Sequence, residues 1–138
     1  MGIINRLPKA VLFVCVENSC RSQMAEAFAR IHGQGIIEAY SAGSRPSGQV
    51  NLQAIATMQE LGYDLSQHQS KSLADIPMQE YEFAITMGCG DECPLVLARQ
   101  RADWQIPDPK HLSPAEFRNV RELIERKVKD LITQLQSS

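Results

Sequence analysis

Ala10-Val11-Leu12-Phe13-Val14-Cys15-Val16 is the longest uninterrupted apolar run in the chain, and it stops at Glu17-Asn18-Ser19. Seven residues cannot cross a bilayer, which takes about 20. Lys9 to Val14 reads instead as a strand buried on both faces, the kind found in parallel sheets covered on each side. Ser22 to His32 then places Met24, Ala25, Phe28 and Ile31 at three- and four-residue steps, a helical pattern closed by Gly33 and Gly35. Ile36 to Ser41 reads as the next strand, completing a strand–helix–strand unit with a right-handed crossover.

The alternation continues. Asn51 to Leu61 is predicted helical, with Leu52, Ile55, Met58 and Leu61 on one face and Gly62 at the C-terminal glycine position. Tyr81 to Met87 is a third strand, Cys93 to Arg101 a short helix, and Ala102 to Ile106 a short fourth strand. Ser113-Pro114-Ala115-Glu116 is a capping box opening a helix whose stripe is Phe117, Val120, Ile124, Val128, Leu131 and Leu135. Its charged residues, Arg118, Arg121, Glu122, Glu125, Arg126, Lys129 and Asp130, read as a solvated face. Strands alternating with helices imply an α/β doubly wound sheet in a single domain over 1–138. With 14 Lys and Arg against 16 Asp and Glu, the net charge of −2 disfavours a nucleic-acid binder. No membrane span or targeting segment is legible, so the expectation is a soluble cytoplasmic protein with reduced thiols. His32, His68 and His111 show no ligand spacing and read as surface residues.

The chemistry concentrates where the first strand ends. Cys15 sits at that end and Arg21 follows with five residues between, near the start of a helix. Ligands of open α/β sheets bind at the carboxyl ends of strands. A loop there that feeds a helix N-terminus turns backbone N–H groups toward an anion, and Arg21 can grip a tetrahedral oxyanion from the far side. The same field favours a thiolate at Cys15. Val16, Glu17, Asn18, Ser19, Cys20, Arg21 and Ser22 are the substrate-binding candidates. Asp108, held between Pro107 and Pro109, reads either as a turn residue or as an acid fixed over the pocket. Of the 4 cysteines, Cys20 shares the loop with Cys15, while Cys89 and Cys93 follow the third strand at the same sheet edge. Core packing, a zinc site, disulfides and a reactive thiol set are all open from spacing alone.

These stretches resemble one known family. Val14-Cys15-Val16-Glu17-Asn18-Ser19-Cys20-Arg21-Ser22-Gln23-Met24-Ala25-Glu26, Ser41-Ala42-Gly43, Thr86-Met87-Gly88-Cys89-Gly90-Asp91-Glu92-Cys93-Pro94 and Asp108-Pro109 are similar to motifs of the low-molecular-weight protein tyrosine phosphatase fold family, most closely its thiol-coupled arsenate reductases. The resemblance covers nearly the whole chain. It implies a three-layer fold with a four-stranded parallel sheet of order 2-1-3-4 flanked by helices. It implies a cradle (P-loop) supported by Asn18, Ser22 and Ser41, with Asp108 as general acid. Arsenate reduction would begin with attack of Cys15 on arsenic. Cys89 would then attack the Cys15 sulfur, Cys93 would resolve that disulfide, and Cys20 would be an alternative partner or structural. Thioredoxin is the implied electron donor, with a glutathione- or mycothiol-type thiol as the alternative. No cofactor or metal is required, although some relatives bind potassium where Asn18, Glu26 and Ser41 match. A monomer is expected. The competing readings are a phosphatase acting through a Cys15 phosphoenzyme and a non-catalytic oxyanion-binding module. Against the phosphatase, Lys110 and His111 stand where aromatic residues would flank a phosphotyrosine ring, Gln23 stands in place of a proline, and Glu17 would repel an acidic phosphopeptide. Weak residual phosphatase activity is still expected.

Overall fold

The structure, a computed structural model, describes residues 7–88 and 96–137. Cys89 and Cys93, with the start of the expected Cys93–Arg101 helix, lie outside the described residues. The elements are β1 (Lys9–Cys15), α1 (Arg21–His32), β2 (Ile37–Gly43), α2 (Leu52–Gln59), β3 (Tyr81–Thr86), β4 (Ala98–Asp103) and α3 (Pro114–Gln136). Single 3-10 turns at Leu65–Gln67 and Leu73–Asp75 join α2 to β3. The four strands form one sheet in the expected order β2-β1-β3-β4, with every pair parallel.

Strand β1 has a partner on each side, and its Val11, Leu12, Phe13 and Val14 are buried. On one face, Val11, Phe13, Phe83 and Ile85 pack with Met24 and Phe28 of α1, Met58 of α2, and Phe117, Ile124 and Val128 of α3. On the other, Leu12, Val14 and Ala42 pack with Ile76 and Tyr81, and Leu73 and Val96 close the margin. The α3 stripe is buried along its length, and Ser113 and Glu116 form the expected capping box. Among the described residues no helix is long and apolar enough to cross a membrane.

Three local expectations are corrected. Ala98 to Arg101 is strand, not helix, and that strand ends at Asp103 rather than Ile106. It lies at the sheet edge, where Arg99 and Gln100 pair with Glu80 and Glu82. Charged side chains on an edge strand discourage further pairing, and they hide its period from a hydropathy reading. In α2 the inward face is Ala54, Thr57 and Met58, whereas Leu52 and Leu61 are exposed. Arg121 is buried rather than solvated: its Nη1 donates to Thr57 O at 2.9 Å and to Glu60 Oε1 at 2.7 Å, tying α3 to α2.

The parallel register aligns Cys15 with Gly43, Val14 with Thr86, and Thr86 with Asp103, so the carboxyl ends of the strands share one edge. Gly43 admits the loop after β1. A Cβ there would lie 2.5 Å from Val16 O and 3.0 Å from Asn18 N, both backbone atoms that cannot swing away. Gly43→Ala is expected to lower stability by about 1–3 kcal/mol in urea unfolding and to weaken phosphate binding. An unchanged midpoint and affinity would show that the loop does not need this close approach.

Candidate active site

The loop between β1 and α1 is shaped by what its carbonyls do. Val16 O accepts from Arg45 N at 2.9 Å, Glu17 O from Ser47 N at 3.1 Å, and Ser19 O from Asn51 N at 3.0 Å. Asn18 O accepts from Gln23 Nε2 at 3.0 Å. In a planar trans peptide the C=O and the following N–H point opposite ways. Four successive carbonyls tied to the surrounding protein therefore turn the next four amides toward the centre of the loop, where an anion would sit. The N-terminus of α1 adds to this: Cys20 caps it without a side-chain hydrogen bond, and its first turn carries no acidic residue. Asn18 has φ of 51°, a left-handed conformation that Asn tolerates better than most side chains.

A chain of hydrogen bonds, buried beneath the loop and partly buried beyond it, runs from the loop to the segment after α2. Cys15 Sγ lies 2.8 Å from Ser22 Oγ, which accepts from Asn18 Nδ2 at 2.8 Å. Asn18 Oδ1 accepts from Gln23 Nε2 and from Lys71 N, each at 2.8 Å. Gln23 Oε1 is 2.9 Å from His68 Nδ1, and His68 Nε2 is 2.6 Å from Tyr63 Oη. An amide oxygen only accepts, so His68 carries its proton on Nδ1 and accepts from Tyr63 on Nε2. Every hydrogen in the chain then points the same way, and Ser22 is left to direct its own at the Cys15 sulfur.

Above the loop is a cavity of about 320 Å³ lined by Cys15, Val16, Glu17, Ser19, Cys20, Arg21, Gly88 and Asp108. Arg21 Nη1 donates to Ile106 O at 3.0 Å, and its Nη2 is 3.7 Å from Asp108 Oδ2. Gly88 makes room for the guanidinium, since a Cβ there would fall 2.4 Å from Nη1. Asp108 accepts from Lys110 N at 3.1 Å and is half exposed at the mouth. Lys110 Nζ reaches both carboxylate oxygens of Glu17 at 3.0 Å, bridging the acid's loop to the cradle, and Glu17 raises the lysine's pKa in return. Cys15 and Cys20 are both free thiols. Burial pushes the Cys20 thiol up to about 12 against the opposing Ser19 hydrogen bond, with Asp108 and Cys15 adding to the rise. The arrangement can hold a tetrahedral oxyanion against Cys15, with a carboxyl group and a guanidinium on the open side.

Cys15, Cys20, Arg21 and Asp108 thus meet in one cavity, and Asn18 and Ser22 stand beneath it as read from the sequence. Ser41 does not join them directly: its Oγ donates to Glu26 Oε1 at 2.5 Å. The supporting roles of Gln23 and Lys71 were not read from the sequence, and His68, read as a surface residue, is buried. Gln23 was read only as standing in place of a proline, although it is fully buried beneath the cradle. His68 and Lys71 belong to an irregular polar stretch without periodicity, yet the His68 side chain is only 7% exposed.

Two measurements follow from this geometry. In a Cys89→Ser/Cys93→Ser protein, iodoacetamide at neutral pH is expected to label Cys15, phosphate to protect it, and Cys20 to stay unlabelled. Comparable labelling of Cys20 would contradict its burial as a neutral thiol. His68 has its pKa lowered from 6.5 by burial, with Glu26 pulling the other way. Between 6.5 and that lower value the unfolded chain binds the proton and the native state does not. Stability should therefore fall as pH drops below about 6.5, the ordinary histidine value, and His68→Gln should flatten that slope. An identical slope in the variant would remove His68 from the account.

Comparison with known proteins agrees with this geometry. Residues 10–138 match the low molecular weight phosphotyrosine protein phosphatase family. A glutaredoxin arsenate reductase of Synechocystis is 40% identical over 130 residues, covering 92% of this chain and 98% of the relative. A solved arsenate reductase in a phosphate-binding state superposes with a TM-score of 0.84 at 39% identity, over 92% of this chain and 98% of that one. A thioredoxin-dependent arsenate reductase of Corynebacterium glutamicum is 28% identical with a TM-score of 0.79, over 96% of this chain and 64% of that one. With the sheet order, the loop after β1 and the match over residues 10–138 all in agreement, this chain belongs to the low molecular weight phosphotyrosine protein phosphatase family.

Proposed function

We propose that this protein reduces arsenate to arsenite at Cys15. The observation that carries the reading is the cavity lining: a cysteine, an arginine and an aspartate surround the space, and none of the described residues that line it is aromatic. Aromatic side chains would favour the ring of an aryl phosphate ester, whereas a bare oxyanion needs only the cradle and Arg21. The ion pair between Glu17 and Lys110 stands at the mouth instead. The Synechocystis relative, named an arsenate reductase, supports the same substrate class.

The Cys15 thiolate attacks arsenic, and an oxygen leaves as water with a proton from Asp108, giving a Cys15 S–As(V) adduct. A second thiolate attacks the Cys15 sulfur. The S–S bond forms, the S–As bond breaks, and its electron pair stays on arsenic, which leaves as arsenite. Cys89 is the second thiol in this reading. The raised pKa of Cys20, about 12, keeps that thiol protonated and argues against it as the attacker. Cys93 then exchanges onto Cys89, freeing Cys15, and a thioredoxin reduces the final disulfide. We place the enzyme in the cytoplasm, where such donors are reduced, as a monomeric single domain. Because the Synechocystis relative has glutaredoxin in its name, that donor is the comparison arm.

The test supplies arsenate with NADPH and either thioredoxin and its reductase, or glutaredoxin, glutathione and its reductase. Arsenate-dependent NADPH oxidation is expected, with Cys15→Ser abolishing it and Asp108→Asn slowing it by roughly 10²–10⁴-fold. No oxidation with either donor, together with vigorous aryl-phosphate hydrolysis, would replace this reading with the phosphatase.

A further inference from the structure

Beneath the cradle lies a carboxylate that the proposed chemistry does not use. The Glu26 side chain is only 4% exposed. Its Oε2 is held by Arg30 at 2.8 Å, with His68 Nδ1 3.7 Å away. Its Oε1 accepts from Ser41 and lies 3.6 Å from Lys71 Nζ. The same ammonium donates to Gln69 O at 3.0 Å and approaches Ser41 Oγ at 3.5 Å. A carboxylate oxygen, a hydroxyl oxygen and a main-chain carbonyl oxygen around one positive charge are the donor set that a monovalent metal cation would take.

Potassium at Asn18, Glu26 and Ser41 does not fit this chain. Asn18 Oδ1 is already committed to Gln23 Nε2 and to Lys71 N. The ammonium of Lys71 stands beside Glu26 and Ser41, and a second cation there would meet its like charge. Lys71 is also bound to the cradle through its backbone: its N–H reaches Asn18 Oδ1 at 2.8 Å, and its carbonyl accepts from Gly43 N at 2.8 Å. We propose that Lys71 is a covalently tethered replacement for a dissociable monovalent cation, a positioning residue whose ammonium seats the 69–71 segment on Glu26 and Ser41 and thereby fixes Asn18 under Cys15.

The test reads thermal midpoint and phosphate affinity in KCl, choline chloride and methylammonium chloride at equal ionic strength. Neither readout involves arsenate, so the inference stands or falls apart from the proposed reaction. The native chain should not distinguish the three salts. Lys71→Ala should melt several degrees lower and bind phosphate several-fold more weakly in choline, with recovery in KCl or methylammonium. Lys71→Gln serves the same comparison if the alanine variant fails to fold. Potassium-specific stabilisation of the native chain would overturn the proposal. So would a variant that loses nothing, or a loss or folding failure in both variants that no cation repairs.

Discussion

Asn18 is the residue on which the carboxyl edge of the sheet depends. Its left-handed backbone turns the loop back toward α1. Its amide nitrogen holds Ser22, and its amide oxygen receives one hydrogen from α1 and another from the strand-like segment at Lys71. A single short side chain therefore joins the loop that would hold an oxyanion, the helix that follows it and a segment more than fifty positions away. Replacing it with glycine would relieve the backbone and lose all three contacts.

The same demand explains the composition of α1. Arg21, Ser22, Gln23 and Glu26 are buried, so this helix is polar on a face that would ordinarily be apolar. A buried polar group costs stability unless its partners are present. Here they are supplied from four directions: the loop itself, β2 through Ser41, the 68–71 segment, and the chain around Ile106. The polar supports of the cradle satisfy one another: Ser22, Asn18, Gln23 and Ser41 each have a hydrogen-bond partner within this set or in Glu26.

The sheet order and the helices carrying strong apolar stripes were legible in the residues and the family resemblance together. α3 is the clearest case, since its stripe and capping box are both as read. Cys15 and Arg21 were legible because strand, loop and helix succeed one another within about twenty residues. β4 was misread because an edge strand made of Arg, Gln and Arg has no hydrophobic period. The supporting roles of Gln23, His68 and Lys71 were not legible, for a different reason. Their burial is created by partners distant in sequence, and local hydropathy carries no trace of it. Arg121 was lost in the same way, being charged by type and buried by its pairing with Thr57 and Glu60.

The contacts that close the cavity are long in sequence: Arg21 to Ile106 spans 85 positions, and Glu17 to Lys110 spans 93. Contacts of this kind are made late, because the loop-closure entropy of the intervening chain must first be overcome. A nascent chain emerging from the ribosome holds Cys15 and Arg21 early, yet it lacks the part that shuts the cavity until the segment from Ile106 to Lys110 has also been made. The Cys15 thiol is thus present before its enclosure is. Any oxyanion that binds only the finished cavity also draws the folding equilibrium toward the native state.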